Sequence, residues 1–286
     1  MKKICFAFVC LVITATGFAQ NSAANATDKL TLTAGQKIMV ESTADVQASL
    51  SVGGDLVSNS KTTNALEVKN TAGDNITISN TLTKAKVTMN MMGQATNYDS
   101  ETKSGNNEQM AELFDARLNK AVDVSIYSKN GKPVTDSKKQ KKPDSEEANL
   151  GSDLLKIFSE NATDEGVASG AFMMVPKGKN VGDTWADTTG TGKNTRTIST
   201  YTLKSVTGNE ATIQANVVSN AVNKLSFQGM EFEIKTETKS TGEIVTDLLT
   251  GIVKKRTGTS DITGSIPMMG QEMPINAKSA TTIIYR

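Results

Sequence analysis

The sequence predicts a mainly β protein, with curved antiparallel sheets built from two weak internal repeats and two short helices. Three observations carry this expectation. Runs rich in Thr, Ile and Val alternate in polarity and are separated by turns containing Gly and Asn. A strand, turn, strand pattern occurs near residues 66–101, where LEVKNTAGDNITISNTLT leads to VTMNMMGQATNYDSE, and returns from Tyr201, where YTLKSVTGNEATIQANVV leads to LSFQGMEFEIKTE. In that alignment Gly73 falls on Gly208, Thr77 on Thr212, Ile78 on Ile213 and, one insertion later, Gly93 on Gly229. Apolar residues recur at three- and four-residue steps in only two short stretches, which limits the helices to two.

Taken in order, Met1 to Ala19 carries Lys2 and Lys3, an apolar run from Ile4 to Ile13 and a small-residue exit ending at Ala19. This is the build of a secretory signal peptide, too short to span a membrane, with cleavage expected after Ala19. Both cysteines, Cys5 and Cys10, lie in the removed segment, and Phe8-Val9 stand before Cys10 where a lipidation site needs small residues. Removing 19 of 286 residues leaves 267, enough for one large β unit or two smaller ones. Without Lys2 and Lys3, 29 basic residues face 30 acidic ones, a balance that selects no nucleic acid as partner. No later apolar run approaches the length of a membrane span, so a soluble product in the periplasm or outside the cell is expected.

Residues 20–29 are small and polar, a flexible leader. A first β half with two short helices is expected over 30–178. It opens with strands at Leu30–Leu32 and Lys37–Val40, then a hairpin about Gly53-Gly54-Asp55, then the first repeat. Met110, Leu113, Phe114 and Leu118 form one stripe of a helix near 107–118. Asn130-Gly131 follows Val122–Tyr127 as a hairpin signal. The run DSKKQKKPDSEE, 136–147, has locally cancelling charges and no aromatics, as a solvated linker does. Ser152 is placed to cap a second helix carrying Leu154, Leu155 and Phe158. A second β half is expected over 179–286. Ala171–Val175 reads as a short strand before it, Gly182-Asp183 turns the chain into Trp185, the second repeat runs to Ile234, and a hairpin at Gly242–Val253 and a strand at Ala277–Tyr285 close it.

Val181-Gly182-Asp183-Thr184-Trp185, the segment YTLKSVTGNEATI, the pair Gly229-Met230 and TGEIVTDLLTGIV together resemble a family of uncharacterised secreted bacterial proteins with no assigned activity. The likeness covers most of the chain after residue 19, through short motifs. At the level of fold, repeated curved sheets with helices tucked on one side also look like the half-barrel of bacterial lipoprotein carriers. That likeness implies an apolar ligand, an implication of fold alone.

The chain contains no His, and no Cys after residue 19, which removes histidine general bases, Ser-His and Cys-His pairs and most zinc or iron sites. Ser58 and Lys61 have a Ser-x-x-Lys spacing without the accompanying motifs, so common residue types explain it. Gly190-Thr-Gly192-Lys193-Asn194 has Asp187 where a phosphate loop has its first glycine, and Asn where it needs a hydroxyl, so it reads as a hairpin tip. Paired carboxylates for glycoside hydrolysis are available by count, yet aromatic platforms are scarce: one Trp, four Tyr and, after residue 19, five Phe. No calcium loop is present. No catalytic residue, metal ligand or cofactor is therefore assigned.

Methionine stands out. The tetrapeptide MMGQ occurs at Met91–Gln94 and again at Met268–Gln271. Thioethers fill irregular core space, line adaptable apolar pockets or bind Cu(I). Core is the first expectation, because adjacent strand positions send Met91 and Met92 to opposite faces. The candidate ligand-binding residues are Trp185, Met91, Met92, Met268 and Met269. Trp185 is either the wall of a cavity or a plug closing the end of a sheet. The sequence thus points to a non-catalytic exported envelope protein whose concave sheet face holds an apolar small molecule or lipid. The alternative is a structural module that docks another envelope protein through an exposed strand edge, and a carboxylate-based hydrolase comes third.

Overall fold

Alternating β-branched and polar residues give strands long enough to bend around a lining of their own side chains. A computed structural model describes residues 26–286 apart from 51–53, 72, 92, 103–105, 135–162, 191–194, 228–229 and 269–270. The described elements are β1 (Lys37–Leu50), β2 (Gly54–Asn70), β3 (Asn75–Met91), β4 (Gln94–Asp99), α1 (Glu108–Asp115), β5 (Ala121–Tyr127), α2 (Asp164–Gly170), β6 (Thr184–Thr189), β7 (Thr195–Thr207), β8 (Glu210–Phe227), β9 (Met230–Asp247), β10 (Val253–Met268) and β11 (Gln271–Tyr285). All strands join one antiparallel sheet in the order β4-β3-β2-β1-β11-β10-β9-β8-β7-β6, with β5 on the first half of β3.

The expected curved sheets are therefore one sheet. Its two halves are joined by β1 and β11, paired from Val40↔Tyr285 to Leu50↔Ile275. Residues 66–101 and the segment from Tyr201 both run as consecutive antiparallel hairpins, and Gly73 and Gly208 both take positive φ, 76° and 60°. Any antiparallel meander supplies that order, so a repeat is not established by it. Leu30–Leu32 forms no strand and Ala171–Val175 contributes only a bridge at Phe172↔Ile252, while the hairpin expected over Gly242–Val253 forms between β9 and β10 with its turn at 248–252. The expected helix at 107–118 appears as α1, capped by the Asn107 side chain, which accepts from the Met110 N–H at 3.2 Å. The one expected at 152–158 lies outside the described residues.

Along each strand one face is buried and the other exposed. On β1 the inward set is Ile38, Val40, Val46 and Ala48, while Lys37, Thr43, Asp45 and Gln47 point out. The inward face carries two apolar clusters. The first gathers Val40, Leu66, Ile78, Ile126, Leu203, Ile213, Ile244 and Ile283 with Phe172. The second, towards the opposite ends of the strands, gathers Val46, Leu56, Val87, Met89, Tyr98, Ile262 and Ile275 with Met110 from α1. Since the first cluster unites side chains of β5 and β3 with those of β7 and β8, the sheet must curl until its two margins approach. Lys132, just after β5, meets Asp187 of β6 at 2.5 Å across that gap.

Small residues on the inner side permit the curl. The cross-strand register from β2 to β6 sets Ser60, Ala44, Thr281, Gly258, Gly242, Ala215, Tyr201 and Trp185 in one inward row. At Gly242 an added Cβ would lie 2.3 Å from the Thr257 carbonyl oxygen, so the ladder between β9 and β10 has room for no side chain there. The next row is Ser58, Val46, Ser279, Ser260, Ser240, Val217, Ser199 and Asp187. Its hydroxyls satisfy one another where they can, as Ser240 and Ser260 do at 2.8 Å.

One end of the curl is closed by chain. The Leu30 N–H donates to Ser128, the Thr31 N–H to Thr250 and the Met173 N–H to Gly251, so two extended segments cross from the turn after β5 to the turn between β9 and β10. Arg256 projects inward from β10 and donates from Nε to the Gly170 carbonyl at 2.8 Å and from a terminal nitrogen to the Phe172 carbonyl at 3.3 Å. It thus supplies donors to the carbonyl end of α2, which is otherwise short of them.

Candidate functional site

The sheet presents an aromatic rim at its β6 margin. Trp185 and Tyr201 are directly paired across β6 and β7, both inward and both half-buried, and their rings stack at 5.5 Å and 29°. They rest on the first apolar cluster, and among the described residues no strand pairs beyond β6. The rim therefore offers apolar area that the ladder leaves partly open, with the Lys132–Asp187 ion pair one inward position further along β6. Tyr201 escaped the sequence reading, although the inward period of β7 that places Leu203 in the core also places it.

The methionines occupy other places. Met91 is half-buried at the end of β3 and packs on the second cluster, so it shares no site with Trp185. Met268 ends β10, while Met92 and Met269 lie outside the described residues. Met91↔Gln94 and Met268↔Gln271 close the β3/β4 and β10/β11 hairpins in the same way. Register carries Met91 through Leu56, Ala48 and Ala277 to Ile262, six residues short of Met268 on the fourth strand over. At about 4.8 Å per strand spacing the two segments stand well apart across the sheet, which removes the geometry a shared copper ion requires. Met89 is buried in the second cluster, and Met173 and Met174 pack on the first.

Electrostatics are local and structural. The Tyr98 hydroxyl donates to the Asp115 carboxylate at 2.6 Å while its ring stacks on Phe114 at 4.9 Å, which ties β4 to α1. Burial first, then that hydrogen bond and the charges of Asp115 and Asp99, push the Tyr98 hydroxyl well above the ordinary tyrosine range. Burial also raises Tyr285, against the opposing charge of Arg256. Asp164, at the start of α2, accepts from Asn80 at 2.8 Å and Arg117 at 2.9 Å, pinning that helix to β3. Among the described residues no cluster of three or more Asp and Glu has the arrangement of a metal site. On the outward face, Thr43, Thr282, Thr257, Thr241, Gln214 and Lys204 line a shallow polar groove of about 600 Å³ crossing six strands.

The family described as "Family of unknown function (DUF6263)" matches residues 73–253, and the chain belongs to it. No curated protein matches. Solved structures with some likeness include the COG4313 outer membrane channel from Pseudomonas putida F1, at 8% identity over 91% of this chain and 98% of that one, with a TM-score of 0.21. Among the described residues no helix is long and apolar enough to cross a membrane. The outward positions of the sheet include Asp45, Lys61, Lys86, Lys239, Glu243, Asp261 and Lys278, all exposed, a polarity opposite to the apolar outer band of a lipid-facing barrel.

Proposed function

We propose that this member of the family is a non-catalytic, exported envelope protein that holds an apolar ligand or lipid against the inward face of its sheet. The observation that carries the proposal is the half-buried Trp185–Tyr201 stack at an unclosed sheet margin, continuous with the first apolar cluster. An acyl chain laid on that rim would cover apolar area that the fold leaves to water, at about 0.8 kcal/mol per methylene before ordering costs. The absence of His from the sequence supports a binding role over acid–base catalysis. A second reading, docking of a partner strand, draws on a separate feature: beyond the Lys235↔Ser265 pair, Met230–Ile234 of β9 and Ile266–Met268 of β10 do not pair with each other. A native mass spectrum of the protein purified from its own host tests both. A bound lipid mass that disappears in Trp185→Ala supports the ligand reading. A stoichiometric second polypeptide without lipid supports the docking reading in its place, and the bare chain alone counts against both.

A further inference from the structure

Where the β9/β10 ladder ends, at Lys235↔Ser265, and where β7 begins, the outward surface sinks into a groove of about 600 Å³. Its lining includes Arg196, Lys235, Asn220, Thr263, Ser265 and Glu237. Arg196 on β7 pairs with Asn220, Asn220 with Glu237, and Glu237 with Thr263, while Lys235 stands two residues before Glu237 on β9. Arg196 and Lys235 are thus two strands and one outward step apart, about 12 Å between backbones, within the combined reach of two long side chains. Among the described residues neither cation has an acidic partner. The one carboxylate in the lining, Glu237, is taken by Lys239 at 2.7 Å. The strands are also drawn tightly together there: an added Cβ on Gly264 would lie 2.5 Å from the Lys235 carbonyl oxygen.

We infer that this groove binds a phosphoryl oxyanion. A guanidinium offers a planar fork to two phosphate oxygens, an ammonium adds a point charge, and Asn220, Thr263 and Ser265 supply neutral donors for the remaining oxygen. Free phosphate and the headgroup of an anionic phospholipid share that chemistry. The site faces outward, so it is independent of the inward apolar rim, and Trp185→Ala leaves it intact.

Amide chemical shifts of the full chain without its first 19 residues, titrated with inorganic phosphate and separately with vesicles of phosphatidylglycerol or phosphatidylcholine, test the inference. Saturable shifts confined to residues around 195–196, 220–222, 235–237 and 263–265 are expected. Affinity should fall at least tenfold in Arg196→Gln/Lys235→Gln and hold in Lys61→Gln, an exposed lysine on β2. Binding of inorganic phosphate alone identifies a soluble phosphate ligand, and binding of phosphatidylglycerol vesicles without phosphatidylcholine identifies a headgroup. Absence of saturable shifts with either probe, or equal affinity in the double variant, overturns the site.

Discussion

Tyr98 shows how much one side chain can organise here. It is 1% exposed, stacks on Phe114 and donates to Asp115, so a single residue joins β4, α1 and the second cluster. Its raised pKa has a definite consequence for stability. The folded state prefers the protonated hydroxyl, so this contribution is whole below the unfolded value near 10 and is lost as pH rises above it. Tyr98→Phe should therefore lower stability by about 1 kcal/mol at neutral pH through the lost hydrogen bond. It should also flatten the decline above pH 10, which urea unfolding at stepped pH measures, with the likewise raised Tyr285, Lys84 and Lys239 contributing to the slope that remains. Asp99 carries the opposite sign: the Glu101 N–H first, then Lys86, hold its carboxyl below the usual range, so its contribution is present above about pH 4 and fades in acid. None of this was legible in the sequence, because Tyr98 meets Asp115 only once α1 has packed. Trp185 was singled out for its rarity, whereas the chemistry at the rim comes from its cross-strand pairing with Tyr201.

At the scale of elements, the sequence spoke plainly where period and caps agree. Asn107 followed by Met110, Leu113, Phe114 and Leu118 is a helix signal in itself, and α1 forms there. Helix α2 gave no such signal: DEGVASG contains two glycines and little apolar stripe. It is held by contacts from outside, with its start capped by Thr163 and pinned through Asp164 to Asn80 and Arg117, and its end held by Arg256. Gly242 has a role that only the register reveals. A glycine inside a strand marks either a turn or a close backbone approach, and only the register with Gly258 and Thr257 decides for the second. Gly242→Ala should cost about 1–3 kcal/mol, because the Cβ can be placed only by moving the Thr257 carbonyl. Gly258→Ala, whose Cβ would lie 3.3 Å from the Thr241 carbonyl oxygen and so need a shift of only a few tenths of an ångström, should cost less. Chemical denaturation of the two variants orders them, and equal losses would show that the close approach of β9 and β10 is not fixed at Gly242.

For the whole molecule, alternation along each strand predicted a mainly β chain, and local signals could go no further. Which strands are neighbours depends on β1 and β11, whose pairing spans nearly the whole sequence and has no motif to announce it. The curl then follows from small inward residues on six successive strands, visible only after register aligns Ser60, Ala44, Thr281, Gly258, Gly242 and Ala215. The rim at β6 is a product of that curl, since it exists where the margins approach without a ladder between them. Trp185 is the only tryptophan, so its fluorescence reports on the rim alone. Quenching by a fatty acid brominated along its chain therefore tests for an apolar ligand at this margin, and saturable quenching that a non-brominated fatty acid competes away is expected. Unsaturable quenching, or none at concentrations where the probe is monomeric, would contradict an apolar ligand at this margin.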